Sequence, residues 1–344
     1  MTALPSAVAA PTAPQVLDRC RALVRPALVK SVERLHPWMG EMAAYSFGWC
    51  EVGGAPVAAP GGKGVRQALA VLGAEAAGAP GRAGVAAAVA VELVHTFSLL
   101  HDDIMDGDST RRRRPTVWKA YGTGPAVLAG DALFALAVET LAETPGGAGG
   151  VRLLSSALGD LVHGQADDLL FAARPWTGPE RVRLHEYRAM AEGKTGALLG
   201  CAAALGAVLG GAPPTTVTAL DRAGRHLGIA FQLVDDVLGI WGDPAVTGKP
   251  VHGDLRERKK TFPVLAALSS PGPGARHLAT VLESDAEPAV AAELIEDAGG
   301  RTAALDEARR HTAAVETALA GVPLEAGPAN DLRSLLDFLV RRDL

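Results

Sequence analysis

Apolar residues recur three and four positions apart along most of this 344-residue sequence, and that spacing is typical of α-helices that bury one face. Alternating runs of Val, Ile and Thr between turn residues, which would indicate strands, are nearly absent from the sequence. The sequence therefore predicts an all-α fold. The predicted helical stretches cover residues 15–32, 64–78, 82–105, 126–144, 152–170, 180–208, 217–240, 262–268 and 301–320.

Short Gly- and Pro-rich segments, such as TPGGAGG and SSPGPG, separate these stretches, and none has the character of a linker between folding units. We therefore expect a single-domain helical bundle that spans residues 15–344. Residues 1–14 are rich in Ala, Pro and Ser, and they lack the charged start and continuous apolar core of a signal peptide. This composition predicts a disordered tail.

Charge and cysteine content exclude several functions. The formal net charge is −5, and a mildly acidic chain is a poor general nucleic-acid binder because phosphate binding requires basic surface. Three cysteines, Cys20, Cys50 and Cys201, lie far apart and form no metal-ligand cluster in the sequence. They indicate a reducing compartment, and we expect the protein to be cytoplasmic.

An uncharged segment at residues 195–220 is long enough to span a bilayer. It is rich in Ala and Gly rather than Leu and Ile, however, and Pro213 and Pro214 interrupt it. A buried helix that packs closely through small residues fits this composition better, so we expect no membrane span.

The stretch SLLHDDIMDGDSTRRRR joins an apolar run to a group of aspartates, among them Asp102, Asp103 and Asp106, and then to four arginines. Asp102 and Asp106 are four residues apart, so both carboxylates lie on one helix face if the helix at 82–105 continues for one more turn. Like charges at this spacing repel, and a bound cation would remove the penalty. Magnesium commonly takes one or two carboxylates plus phosphate oxygens. A solvated acidic helix end explains this stretch alone equally well.

A second paired aspartate favours the cation. Asp235 and Asp236 follow another apolar helical run, FQLV, and basic residues follow them in turn. Two such helices could face each other across a cavity, with cations between them that hold a polyanion. The arginines 111–114 would then bind phosphate oxygens bidentately, although one or two of the four are expected to be solvated. A nucleic-acid or localisation patch is the alternative for the arginine run, and the net negative charge argues against it.

These stretches, in this order and spacing, resemble the trans-isoprenyl diphosphate synthases, the polyprenyl synthetase family, from about residue 15 to the end. The first aspartate motif of the family matches DDIMD, which RR and PT follow, and the second matches FQLVDDVLG, which GDP, GKP and DLRERKKT follow. Supporting matches are GGKGVR, VELVHTFSLLHDD, GDALFALA, GQADDL and GKT. The resemblance implies a helical bundle of the isoprenoid synthase type with a central apolar cavity.

The resemblance also implies roles for individual residues. Asp102 and Asp106 would bind two Mg²⁺ ions and Asp235 a third, while Asp103 and Asp236 would support these ligands rather than bind metal. The allylic diphosphate would contact Arg111, Lys194, Gln232 and Lys249, with Thr195 beside them. The isopentenyl diphosphate would contact Lys63, Arg66, His95 and Arg112, and Lys259 would add positive charge nearby.

Some of these residues also have an ordinary structural explanation. His95 could be a hydrogen-bonded core histidine, and Lys63 and Arg66 could be surface charges, although a GGK turn that opens a helix suits anion binding. Gln165 and Asp168 could be structural or could line the cavity. These alternatives stay open at the level of the sequence.

The implied reaction is a magnesium-dependent condensation of isopentenyl diphosphate with an allylic diphosphate. Metal ions would neutralise the leaving diphosphate as the allylic C–O bond ionises. The isopentenyl double bond would attack the cation, and a proton would pass to the departing diphosphate. Water must be excluded because it would quench the cation.

Product length depends on the tunnel floor below the first aspartate motif. Phe97 and Ser98 lie five and four residues before Asp102, about 7.5 and 6 Å further down a helix. By resemblance, one bulky residue at this depth, with no insertion inside DDIMD, indicates geranylgeranyl diphosphate as the product. Farnesyl diphosphate is the nearest alternative.

The sequence departs from the family pattern at three positions. Gly239 stands where the second motif usually ends in aspartate, which would weaken the third metal or alter its water shell. Arg113 and Arg258 stand where the family often has glycine. A non-catalytic regulatory subunit is one alternative function, and Gly239 is its only support. A class I terpene cyclase is another, and GGKGVR and His95 argue against it because a cyclase needs no isopentenyl site.

Two partners are expected besides the substrates. Members of the family are usually homodimers, so the resemblance implies a homodimer here. Similar Ala- and Pro-rich tails load some bacterial relatives into encapsulin-type protein shells, so such a shell is a further candidate partner for residues 1–14.

Overall fold

Long helices of the expected periodicity dominate the computed structural model, which describes residues 11–57, 62–244, 250–284 and 286–341. The all-α prediction is confirmed. The α-helices are α1 (Ala13–Val32), α2 (Pro37–Ser46), α3 (Val65–Ala76), α4 (Val85–Met105), α5 (Val117–Tyr121), α6 (Thr123–Ala142), α7 (Gly147–Ala173), α8 (Leu184–Ala191), α9 (Ala197–Leu209), α10 (Pro214–Trp241), α11 (Gly253–Arg256), α12 (Phe262–Ser269), α13 (Pro273–Glu283), α14 (Pro288–Asp297), α15 (Gly300–Ala320) and α16 (Ala326–Arg341).

Three shorter elements interrupt this pattern. A 3₁₀ turn, Gly81–Gly84, leads into α4, and a π-helical segment, Glu192–Gly196, joins α8 to α9. An antiparallel two-stranded ribbon pairs β1 (Thr110–Arg111) with β2 (Arg114–Pro115). The sequence predicted neither the ribbon nor the π segment, because each is only a few residues long.

The first helix begins two residues earlier than the predicted domain. Thr12 lies before it in an extended conformation, and its backbone N–H donates to Gln15 Oε1 at 2.8 Å. This contact satisfies a donor at the start of α1, so residues 13 and 14 belong to the helix and not to the predicted tail. Residues 1–10 of that tail lie outside the described residues.

The centre of the bundle is α9, which packs against α3, α4, α7 and α10. Every residue from Ala197 to Ala207 is buried. A Cβ atom added at Gly206 would lie 1.9 Å from the Ala70 carbonyl oxygen, so only glycine allows α9 to approach α3 this closely. The prediction of a buried helix with small residues in the uncharged segment is therefore confirmed for its first half.

Two other helical stretches among the described residues are long and apolar enough to cross a membrane. They are Gly81–Met105 and Thr123–Ala142. The most apolar part of the first is 61% buried within the protein, and that of the second is 39% buried. Length and composition alone are weak indications, because the core helix of a water-soluble bundle meets the same criteria. The second helix does expose apolar side chains, and these bear on oligomerisation below.

Candidate active site

The end of α4 carries the first aspartate motif. The helix ends at Met105, but Asp106 keeps a helical conformation and its N–H donates to the Asp102 carbonyl at 2.9 Å. Asp102 and Asp106 therefore share one face, as the spacing predicted. Burial and the charge of Asp102 raise the pKa of Asp106, while Lys194 and Lys259 oppose the rise.

Lys194 joins three elements at this point. It lies in the π segment, and its Nζ donates to Asp168 Oδ2 of α7 at 2.6 Å and lies 3.5 Å from Asp102 Oδ1 of α4. Burial lowers the pKa of Lys194, but the carboxylates of Asp168 and Asp102 outweigh this effect and leave the pKa raised. From the sequence, Asp168 could be structural or could line the cavity. The structure places its carboxylate beside the first aspartate motif.

The backbone of α7 comes close enough to the π segment to require a glycine. A Cβ atom added at Gly164 would lie 2.2 Å from the backbone nitrogen of Lys194. Helical π-bulges occur frequently at functional sites, and here the extra residue per turn places Lys194 and Thr195 in the site. Gln165, the neighbour of Gly164, has a buried Nε2 without a hydrogen-bond partner among the described residues.

The acidic side chains fit a magnesium-bridged diphosphate. Asp102 Oδ1 is buried and accepts no hydrogen bond from the described residues. It forms an ion pair with Lys194 Nζ at 3.5 Å, so this hard oxygen can also accept a metal cation. No group of three or more His, Cys, Asp or Glu side chains in the described ranges is close enough to form a metal site by itself. Each cation would therefore take one or two carboxylates and complete its shell with phosphate and water oxygens, as Mg²⁺ commonly does.

The second aspartate motif lies at the end of α10, and its second aspartate is an anchor. Asp236 is buried and accepts hydrogen bonds from Tyr187 Oη at 2.5 Å, the Phe262 N–H at 2.8 Å and Gln232 Nε2 at 3.1 Å. Burial raises the pKa of Asp236 to about 7, although these donors oppose the rise. Asp236 thus ties α10 to α8 and to the start of α12.

Gln232 and Thr195 connect the second motif to the π segment. Thr195 Oγ1 donates to Gln232 Oε1 at 3.0 Å, and Gln232 is also a donor to Asp236. The structure therefore brings together Lys194, Thr195 and Gln232, which the resemblance assigned to one substrate. Lys249, assigned with them, lies outside the described residues.

A second subsite lies between α3 and α4. Arg66 Nη1 lies 3.2 Å from His95 Nε2. Burial and the charge of Arg66 hold the pKa of His95 well below its ordinary value, so the imidazole is neutral and accepts this hydrogen bond. Burial lowers the pKa of Arg66 to about 10, and the negative charges of Glu92 and Asp235 act against that shift. His95 is therefore a partner of Arg66 and not an isolated core histidine.

A small cavity of about 80 Å³ opens beside this pair. It is lined by residues at the end of α2, along α4, in the ribbon and at the start of α5, and the charged and imidazole side chains among them are Glu92, His95, Asp103, Arg111, Arg112 and Arg114. Lys63 points elsewhere, with its Nζ 5.9 Å from the ring centroid of Phe338 on α16. A larger cavity, of about 330 Å³, lies between α11, α13 and α14, and none of the predicted site residues lines it.

The four arginines divide into two pairs. Arg111 Nε donates to Asp103 Oδ1 at 2.6 Å, and Arg114 donates to the carbonyls of Tyr45 at 3.1 Å and Cys50 at 2.7 Å. Arg112 and Arg113 form the exposed turn of the ribbon, with φ angles of 53° and 64°. Two consecutive residues with positive φ form the tight hairpin turn that suits the strand twist.

The two positions where the resemblance expects glycine share a backbone property. Arg113 has a φ of 64° and Arg258 a φ of 55°, in the left-handed region that glycine adopts without cost. Glycine in relatives would satisfy the same turns. Arg113 and Arg258 therefore hold a backbone conformation that suits glycine, and they add charge at some cost in stability.

Phe97 and Ser98 lie on α4 below Asp102. The Phe97 ring packs edge-on against His101, with centroids 4.8 Å apart, and lies 5.7 Å from the ring of Phe134 on α6. Ser98 Oγ donates to the His95 carbonyl at 2.8 Å. A second aromatic residue, Phe134, thus supports the predicted floor, and the sequence had not indicated it.

Several other residues of the site were missed from the sequence. Tyr187 is buried against Asp236, and its position three residues into α8 carries no motif. Asp254 lies 3.9 Å from Lys259 Nζ, which pairs more closely with Glu257 at 2.6 Å. Glu92 is a half-buried carboxyl; burial raises its pKa, and the nearby charges of Arg66 and Arg112 oppose the rise. A charged residue inside an apolar helical run was the one available signal for Glu92.

Comparison with known proteins agrees with this geometry. A family model described as polyprenyl synthetase matches residues 54–298. A (2E,6E)-farnesyl diphosphate synthase of Mycobacterium tuberculosis is 45% identical over 95% of this chain and 92% of its own length. A geranylgeranyl diphosphate synthase of the same organism is 42% identical over 95% of this chain and 93% of its own length. The crystal structure of a polyprenyl synthetase from Streptomyces coelicolor A3(2) superposes with a TM-score of 0.88 at 48% identity and covers 94% of this chain and 98% of that one.

The substitution Arg113→Gly is expected to raise the free energy of unfolding by about 0.5–1 kcal/mol. Glycine removes a left-handed cost of about 1–2 kcal/mol, and its greater freedom in the unfolded chain offsets part of the gain. Chemical denaturation measures the change. Arg114→Gly is the matched control and should lower stability, because Arg114 holds two backbone carbonyls. A stability loss in Arg113→Gly as large as in the control would contradict the strain argument.

Proposed function

This chain belongs to the polyprenyl synthetase family and is a trans-prenyltransferase, and from that premise we propose that it makes geranylgeranyl diphosphate. The substrates are isopentenyl diphosphate and an allylic diphosphate: dimethylallyl, geranyl or farnesyl. One observation carries the proposal: Lys194 lies between Asp102 and Asp168, and Asp103, the next residue after Asp102, lines the cavity with His95, Arg111 and Arg112. This arrangement offers anchoring groups for two diphosphates on either side of one helix end.

Three magnesium ions per site are part of the proposal. Asp102 and Asp106 would hold two of them and Asp235 the third, while Asp103 and Asp236 keep their hydrogen bonds to the protein. When bound, the ions supply positive charge at the diphosphate that leaves. Arg111, Lys194 and Lys259 add charge from the protein at the same place. Thr195, Gln232 and Lys249 complete the allylic side.

The isopentenyl diphosphate would occupy the second subsite. Arg66 and Arg112 present guanidinium groups, which bind phosphate oxygens bidentately. Lys63, which lies over the Phe338 ring, would join them only by turning its side chain toward this subsite. The neutral His95 accepts from Arg66, so it holds this guanidinium in place and keeps an N–H that can donate to a phosphate.

The reaction then needs no side-chain base. The allylic C–O bond breaks, the isopentenyl double bond attacks the allylic cation, and a new C–C bond forms. The proton lost in the last step goes to the departing diphosphate. Leu100 and other buried residues of α4 supply an apolar wall, and such a wall keeps water from the cation.

Product length is proposed from the floor residues. Phe97, which packs against Phe134, would close the space one to two helical turns below Asp102. One bulky residue of α4 at this depth favours a twenty-carbon product. Farnesyl diphosphate is the second candidate, and the named farnesyl diphosphate synthase relative favours it.

A homodimer in the cytoplasm is the proposed state of the protein. The neighbouring helices α6 and α7 each expose apolar residues seven positions apart, which share one helix face. These are Val127 and Phe134 on α6 and Val162 and Leu169 on α7. A continuous apolar surface of this kind marks an interaction site. An encapsulin-type shell stays a candidate partner for the N-terminal tail.

The full chain, incubated with radiolabelled isopentenyl diphosphate, farnesyl diphosphate and Mg²⁺, is expected to release a twenty-carbon product, and EDTA should stop the reaction. Lys194→Gln should lower kcat/KM by about 10²-fold, because it removes a buried positive charge at the diphosphate. The exposed Lys119, changed to Gln, serves as the control. A cyclic hydrocarbon product would indicate a terpene cyclase, and an inert wild-type protein would indicate a regulatory subunit.

Phe97→Ala is expected to lengthen the product, because it removes the aromatic ring that closes the floor. Chromatography of the dephosphorylated, radiolabelled products measures the chain length. Ser98→Ala changes the neighbouring residue by one oxygen atom and should leave the product distribution unchanged. If Phe97→Ala gave the same distribution of product lengths as the wild type, Phe97 would not be a floor residue.

The double substitution Val127→Glu and Val162→Glu should convert the dimer into monomers. These side chains are 38% and 57% exposed on α6 and α7, so charge there costs little in the monomer but much in a buried interface. Light scattering after size-exclusion chromatography should give twice the chain mass of 35.3 kDa for the wild type. Val290→Glu, on α14, is the control. A wild type of single-chain mass would overturn the dimer.

A further inference from the structure

Two half-buried histidines from different helices contact each other outside the site described above. His226 lies on α10, nine residues and about 13.5 Å before Asp235, and His311 lies in the middle of α15. Their Nδ1 atoms are 3.0 Å apart. The ring centroids are 5.2 Å apart, close to the largest separation that this contact allows, so the two nitrogens point at each other. This is the geometry of a hydrogen bond, because rings that share a metal ion would both point toward the ion.

The contact limits the number of protons that the pair can hold. One Nδ1 atom must donate and the other must accept, so the gap between the rings contains one N–H and one lone pair. A single extra proton on the Nε2 atom of the donor ring leaves this arrangement intact. A second extra proton would set two N–H groups and two positive charges against each other. The doubly charged pair therefore cannot keep the contact.

Three elements bring charged or titratable groups to His311. On α15 itself, Glu307 Oε1 lies 3.6 Å from His311 Nε2, and Arg310 pairs with the same carboxylate. From α8, Arg188 Nε donates to Glu307 Oε1 at 2.5 Å. Burial and the neighbouring His226 of α10 lower the pKa of His311, Glu307 opposes the shift, and the two arginines add to it. The His311 ring is therefore uncharged at neutral pH.

The other helices packed against α10 and α15 bring no further carboxylate to the pair. Helices α9 and α12 have no charged residue. Among the described residues, Glu307 is the only carboxylate within 4 Å of either ring. Charged side chains of the π segment, α14 and α16 form ion pairs of their own, namely Glu192 with Arg225, Glu296 with Arg301, and Arg333 with Glu316.

Further contacts lead from this cluster to the second aspartate motif. The guanidinium carbon of Arg188 lies 5.6 Å from the centroid of the Phe262 ring, and the Phe262 N–H donates to Asp236 at 2.8 Å. Arg188 also follows directly after Tyr187, whose hydroxyl donates to Asp236 at 2.5 Å. Glu307 of α15 therefore holds, through Arg188, the two groups that anchor Asp236.

We propose that the contact between His226 and His311 is a proton-sensitive clasp, which holds α15 against α10 and α8 and thereby positions the second aspartate motif. The clasp is closed at pH 7.5. At pH 5.5 protons enter both rings, α15 loosens, and Glu307 no longer holds Arg188 in place. The inference rests on the proposed function only for the site that the clasp supports, because the clasp itself depends on the two rings alone.

The direction of the pH dependence follows from the difference in proton binding between the folded and unfolded chains. The pKa of His311 is lowered in the folded protein, whereas a histidine in an unfolded chain has a pKa of about 6.5. The unfolded chain therefore binds more protons than the folded protein below about pH 6.5. The stability that the pair contributes is complete above this pH and is lost as the pH falls.

Amide hydrogen exchange of the full chain at pH 7.5 and 5.5, corrected for intrinsic rates, tests the clasp without catalysis. Peptides from α15 of the wild type should exchange about tenfold faster at pH 5.5, because two adjacent positive charges repel strongly when partly buried. His226→Asn should remove most of this acceleration, since an uncharged amide can donate to His311 or accept from it. His311→Asn removes the other ring and should act in the same way.

The exposed His277 on α13 provides the control. His277→Gln should show the same acceleration as the wild type, because it leaves the pair unchanged. Equal acceleration in the wild type, His226→Asn and His311→Asn would overturn the clasp and leave the proposed function intact.

Calorimetric titration of Mg²⁺ in the presence of saturating inorganic diphosphate shows whether the clasp supports the second motif. The affinity should fall between pH 7.5 and 5.5 several-fold more in the wild type than in His226→Asn. Comparing the two proteins at each pH cancels the titration of diphosphate and of Asp236, whose pKa is about 7. An equal fall in both would contradict the link to the motif. A wild type that binds no Mg²⁺ and diphosphate at pH 7.5 would overturn the proposed function, and hydrogen exchange would still decide on the clasp.

Discussion

The contact between Lys194 and its two carboxylate partners determines the shape of the whole site. Asp102 from α4 and Asp168 from α7 would repel each other across a partly buried gap if no cation lay between them. Lys194 can reach that gap because the helix at this point is π-helical and because Gly164 lets α7 approach its backbone. The site therefore depends on a local departure from α-helical geometry, built into the centre of a bundle whose packing is otherwise regular.

The two aspartate pairs, 102–103 and 235–236, share one arrangement: the second member of each is held by hydrogen bonds to the protein. In the first pair Asp103 is anchored by Arg111, and in the second Asp236 is anchored by Tyr187, Gln232 and the Phe262 N–H. Consecutive residues on a helix point about 100° apart, so one aspartate of each pair is buried, Asp103 and Asp236, while the other, Asp102 and Asp235, is half-buried. The anchored member fixes the helix end, and this positions the carboxylate that can meet a cation.

Periodicity predicted the long helices well, because nine stretches of apolar spacing became core helices such as α4, α9 and α10. Shorter helices such as α2, α13 and α14 were missed, although a proline at the start of each was an available signal. The motifs brought Asp102, Lys194 and Gln232 to one region. Tyr187 and Phe134 could not be found in this way, because each matters only through a partner far away in the chain.

Gly239 and Asp254 show why a motif is an incomplete description of a charged site. A motif counts carboxylates along one helix, whereas a cation responds to every charge within a few ångströms, whichever element carries it. The carboxylate of Asp254, fifteen residues after Gly239 in sequence, lies where a side chain at position 239 would begin. A side chain at 239 would therefore require the Asp254 carboxylate to turn aside. The charge at this helix end depends on α11 as well as on α10, so the second motif alone does not describe it.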